Sequence, residues 1–169
     1  MKSLPRCWSR RWPSIEAEWD LSPTARGHLF AKLLIFKNQR ELQRWWHRGL
    51  KKPGLGRYTV GAVNGLFRWS ERHRANNGWS PRMPYTDPRY FCVIGLAKTH
   101  LTMEVICHEA VHAGFCYAKR VKRTPWMDAK AFDEEEVAYP AGVIARKINA
   151  ILYAAKLYPK EQSRRTQAR

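Results

Sequence analysis

Cysteine is scarce in this chain of 169 residues, with only Cys7, Cys92, Cys107 and Cys116. No two of them form a Cys-x-x-Cys unit, which argues against a Cys-rich structural zinc site, and four are few for a disulfide scaffold. Reduced, largely buried thiols are the expectation. Long apolar runs are missing as well. Stretches such as Phe91 to Ala97 fall far short of the ~20 residues that a membrane-crossing helix needs. The Arg- and Trp-rich N-terminus also lacks the apolar stretch of a signal peptide. A soluble, cytoplasmic protein with no membrane partner is expected.

Acid is the third scarcity. Fourteen Asp and Glu face 31 Lys and Arg, a formal charge of +17 on 19.8 kDa. The basic residues are spread from Arg6, Arg10 and Arg11 through Lys37 to Arg57 and Lys119 to Arg123 to Arg164, Arg165 and Arg169. Such a field attracts nucleic acid or another polyanion at low salt, with or without a specific site. The little acid present is concentrated, with Asp133-Glu134-Glu135-Glu136 supplying four of the fourteen. Like charges packed that closely in a basic protein need a reason.

With 44% hydrophobic residues the chain can bury one core, and no composition shift calls for two. Residues 1–27 mix Trp, Arg, Pro and Ser and read as an irregular segment, with a short helix at most near Ile15 to Trp19. His28 to Phe36 reads as a strand. Asn38 is placed to cap a helix running through Trp45-Trp46 to a Gly49 stop. Tyr58 to Val63, then Asn64-Gly65, then Leu66 to Trp69 has the form of a hairpin around a two-residue turn. A polar loop from Arg74 to Arg89 leads into a strand at Tyr90 to Leu96. Thr99 or Thr102 can then cap a helix over Leu101 to Ala118. After a linker from Lys119 to Lys130, a helical pattern resumes at Val137, Ala141, Ile144, Ile148, Ile151 and Leu152. Residues 28–157 are thus the folded domain and 158–169 a basic, flexible tail. The fold class is α+β: a small antiparallel or mixed sheet against two helices.

What stands out is His108-Glu109-Ala110-Val111-His112, an H-E-x-x-H pentapeptide inside the first of those helices. Four residues is about one helical turn, so both imidazoles project from one face and can close on one zinc ion, with Glu109 beside them. His28, His47, His73 and His100 carry no such spacing. Catalytic zinc takes three protein ligands and keeps a position for water. No His follows His112, so a downstream third ligand is Asp or Glu, and the acidic cluster is the dense supply. Glu135 is the choice, because Ala138, Gly142 and Ala145 make a small-residue stripe that lets its helix approach Ala110, Ala113 and Gly114. Pro140 keeps Glu134 and Glu136 open, since inside a regular helix it would clash with the Glu136 carbonyl, kinking the helix or breaking it in two. Given zinc, Glu109 is the general base, and Tyr139, or less directly His100, the donor to a developing oxyanion. The strand before the helix could pair with an extended substrate if it is an edge strand.

The order of strand, H-E-x-x-H helix and Glu-x-x-Ala helix resembles the compact zincin metallopeptidases with a glutamate third ligand, the ImmA/IrrE-like group among them. The matching positions are His108, Glu109, His112, Glu135 and Ala138. The resemblance extends from about His28 to Leu157 and implies a zinc-dependent peptide-bond hydrolase acting on a protein or peptide. The frequent Asp or Asn after that Ala is Tyr139 here. A more distant resemblance is to SprT-like proteases, whose third ligand is a histidine that this chain lacks downstream.

The charge supports a reading of another class: a nucleic-acid-binding or inhibitory protein on such a scaffold, in which zinc is structural. Trp45-Trp46 among Arg44, His47, Arg48, Lys51 and Lys52 could offer stacking and phosphate contacts, although adjacent helical residues diverge by ~100° and cannot both face a ligand.

Overall fold

Phe30-Ala31-Lys32-Leu33-Leu34-Ile35-Phe36 is a nearly unbroken apolar run, the pattern of a strand buried on both faces, and it forms one of the two interior strands of the sheet. The computed structural model describes residues 14–24, 27–46, 61–65, 89–122 and 133–158. In chain order its elements are β1 (Ile15–Leu21), β2 (Phe30–Phe36), α1 (Gln39–Arg44), β3 (Gly61–Gly65), β4 (Tyr90–Ala97), a 3-10 turn at Lys98–His100, α2 (Met103–Lys122) and α3 (Glu134–Ala154). The result is a small α+β domain with a mixed four-stranded sheet in the order β1-β2-β4-β3. β2 and β4 are parallel, and the two outer pairings are antiparallel.

Alternation along the strands divides the core. Ala31, Leu33 and Ile35 join Cys92, Ile94 and Leu96 on one face, where α2 and α3 close over them with Ile106, Ala110, Ala113, Ile144, Ile148 and Leu152. Leu34, Phe36, Val93 and Ala97 point to the other face, which is covered by Leu42 of α1 and by Trp45, the residue that caps the end of α1. Lys32, the one charged residue of β2, reaches across to Asp20 at 2.9 Å and Glu18 at 3.7 Å on β1.

Helix starts follow side-chain caps. Asn38 Oδ1 accepts from the Glu41 N–H at 3.1 Å, and Thr102, not Thr99, opens α2 by accepting from the Val105 N–H at 3.2 Å. Asp133 and Glu136 form a reciprocal capping box at the start of α3.

Several expectations are corrected. Ile15-Glu16-Ala17-Glu18-Trp19-Asp20-Leu21 is neither irregular nor helical but strand β1, so the sheet begins before residue 28. Its strict alternation suits an outer strand with one face on the core. Asn64 and Gly65 are no hairpin turn; they lie within β3, opposite Val93 and Cys92, where the ladder with β4 pairs their backbone groups. Residues 58–60 and 66–69 of that expected hairpin lie outside the described residues. β4 is not an edge strand, since β2 and β3 flank it. α2 runs on to Lys122, into the expected linker. α3 continues through Pro140 as one helix. Cys92 is buried, but Cys107 is exposed; Cys7, Gly49, Lys51, Lys52 and the loop at 74–88 lie outside the described residues. Among the described residues no helix is long and apolar enough to cross a membrane.

Candidate metal centre

α2 packs its Ile106, Ala110 and Ala113 side onto the sheet, which leaves His108 and His112, on the flank away from those residues, exposed. The helical spacing then brings the two rings together, with centroids 4.8 Å apart and Nε2 atoms 3.2 Å apart. Two nitrogens each bound to one tetrahedral zinc lie about 3.3 Å apart, so the pair has the span of a shared ion. Without a metal, one Nε2–H can donate to the other ring. Burial, and then the charge of His108, hold the His112 imidazole below its usual pKa, favouring the neutral form that ligates metals.

Glu109, unlike the two histidines, is buried and only 6% exposed. It lies against Gly61 of β3, where a Cβ would stand 2.6 Å from its Cγ and Oε1. Burial pushes its carboxyl up to about 7. A carboxyl so poised can take up and return a proton near neutrality.

The acidic cluster is divided by its local bonds. Glu136 is committed to the Asp133 N–H at 3.1 Å and to Lys122 at 2.5 Å, and these hold its carboxyl below the ordinary glutamate range. Glu134 and Glu135 stand exposed in the first turn of α3. Among the described residues no group of three or more His, Cys, Asp or Glu stands together as a metal cage. The two imidazoles are therefore brought together and Glu135 is not brought to them. Its small-residue stripe is also out of phase. Gly114 meets Val137 and Ala141, whereas Gly142 has nothing within 4 Å of its missing Cβ and Ala138 is exposed.

No protein-family model matches the chain, and neither the curated proteins nor the solved structures contain a significant match.

Tyr139 is 67% exposed on α3. His100 lies in the turn before α2, its Nδ1 2.8 Å from Thr99 Oγ1. Trp45, offered for base stacking, is buried against Phe36. Gly61 was missed from sequence. The signal that could have found it is a glycine inside a strand pattern, which often marks a close approach by another group.

Proposed function

We propose that the chain is a zinc-dependent metallopeptidase, a minimal zincin in which His108 and His112 hold the metal through Nε2. The observation that carries this reading is the 3.2 Å separation of those atoms on one helix face, with Glu109 between them in sequence. The donor pair fits zinc. The third donor of this proposal is a carboxylate from the first turn of α3 that would have to move to the imidazoles, since no third His, Cys, Asp or Glu stands with them among the described residues; the bonds of Glu136 to Asp133 and Lys122 make Glu135, or its neighbour Glu134, its source.

His108 and His112 would hold the zinc ion, which would supply Lewis-acid polarisation of a peptide carbonyl and a more acidic water at neutral pH. Glu109 accepts a proton from the attacking water and returns it to the leaving amine. Tyr139 is the proposed donor to the developing oxyanion, and Tyr139→Phe is expected to lower kcat with zinc content unchanged. The central experiment is peptide hydrolysis by Glu109→Gln: zinc retained and turnover reduced by about 10²–10⁴-fold supports the reading. Undiminished turnover refutes it.

The charge of +17 favours a second reading, a nucleic-acid-binding or inhibitory protein on the same scaffold. Titration of labelled duplex and single strands at two salt concentrations tests it. Binding should fall steeply with salt and weaken for all sequences alike in Lys51→Glu/Lys52→Glu. No binding at low salt removes nucleic acid as a partner.

A further inference from the structure

We infer that Gly61 is a positioning residue for Glu109: the bare backbone of β3 at this point is the seat in which the Glu109 side chain lies. The inference rests on Glu109 acting as the general base proposed above.

The backbone does not require glycine here. Gly61 is an extended strand residue paired opposite Leu96 of β4, and its φ lies outside the left-handed region. What it provides is space. A Cβ would stand 2.6 Å from both Cγ and Oε1 of Glu109 and 2.8 Å from Cδ, so the carboxyl end of the side chain lies on the glycine. Cβ atoms essentially never come this close to another heavy atom, so with a side chain at 61 the Glu109 side chain has to shift. Its helical neighbours at one-turn spacing or adjacent, Ile106, Ala110 and Ala113, are packed into the core at 0%, 1% and 0% exposure, so a shift toward the sheet meets a filled interior. Any side chain at 61 must therefore swing the carboxyl out of its seat and change its aim relative to the imidazoles on the same turn.

β3 thus contributes a residue to the site without contributing a functional group. Gly61→Ala is expected to keep its zinc, because His108 and His112 are exposed on another flank of α2. It should also keep KM while kcat falls, on the order of 10²-fold for a misplacement near 1 Å. Shortening the acid should relieve the conflict, so Gly61→Ala/Glu109→Asp should be more active than the product of the single effects predicts.

The deciding measurement combines this kinetic comparison with a double-mutant cycle in denaturant unfolding, which needs no turnover. Gly61→Ala should lower the denaturant midpoint of the wild type and should not lower that of Glu109→Ala, since the crowded atoms are then gone and only the gain from replacing a strand glycine remains. Should Gly61→Ala alone fail to fold, recovery of folding in Gly61→Ala/Glu109→Ala supports the inference. An equal midpoint shift in both backgrounds overturns it, as does a folded Gly61→Ala enzyme with wild-type kcat. A wild type that hydrolyses no peptide would instead remove the metallopeptidase reading, and the cycle would still decide whether Gly61 seats Glu109.

Discussion

Gly114 of α2 abuts the carbonyl oxygen of Val137 on α3: a Cβ on Gly114 would stand 2.6 Å from that oxygen and 3.0 Å from the Cβ of Ala141. The two helices touch backbone to backbone at this point, half a turn beyond His112. The contact sets the phase of α3, and with it the direction in which the acids of its first turn project.

Opposite signs are expected for two Gly→Ala changes on these helices. Gly114→Ala forces a methyl against a backbone carbonyl that cannot move alone, and should destabilise by about 1–3 kcal/mol. Gly142→Ala, exposed and with nothing within 4 Å, should stabilise by roughly 0.5–1 kcal/mol through helix propensity. Denaturant unfolding of both variants checks the pair. Stabilisation by both would mean that the helices do not meet at Gly114.

Zinc should stabilise the fold through the histidine pair. At 100-fold excess over its dissociation constant, a ligand bound only by the native state adds about 2.7 kcal/mol. The wild-type melting temperature should rise with added zinc and return on chelation, and His108→Ala and His112→Ala should show no such rise. Full zinc retention by both variants in elemental analysis would refute the assignment.

Single Ala substitutions across the acidic cluster should separate ligation from capping. Glu135→Ala, or Glu134→Ala in its place, should weaken zinc affinity. Glu136→Ala should leave affinity unchanged and lower thermal stability, because it breaks the capping box and the Lys122 pair. Zinc affinity falling most in Glu136→Ala would mean that this side chain leaves its cap to bind metal.

Glu136 also makes a pH prediction. The Lys122 hydrogen bond, and then the Asp133 N–H, lower its pKa in the folded protein, so the stability it contributes is complete above the ordinary glutamate range. It is lost as pH falls through that range and below. The difference in melting temperature between wild type and Glu136→Gln should therefore be present at neutral pH and vanish in acid. A difference unchanged by pH would show that the ionised carboxylate adds nothing there.

Some of this was legible because the signal is local. The apolar runs of β2 and β4 read as strands, Asn38 and Thr102 cap because their side chains reach the next turn, and H-E-x-x-H spacing places two imidazoles on one face of a helix. β1 was equally legible, since Ile15 to Leu21 alternates without a break, but its Trp and acids sit in a segment whose composition resembles a loop. Asn64-Gly65 shows the reverse, a strong local turn signal overridden when an unpaired side of β4 was there to be joined.

The sequence by itself thus determined an α+β domain, the helix carrying His108 and His112, and the convergence of their rings, because each depends on contacts within a few residues. Tertiary structure alone decided the strand order that buries β4, and the helix phase that sets Gly114 rather than Gly142 at the α2–α3 contact. It also decided the meeting of Gly61 with Glu109, 48 positions apart. α3 carries two apolar or small-residue stripes a residue apart, and periodicity cannot say which one another helix will cover. That choice is made by the packing of whole surfaces, which no window of sequence contains.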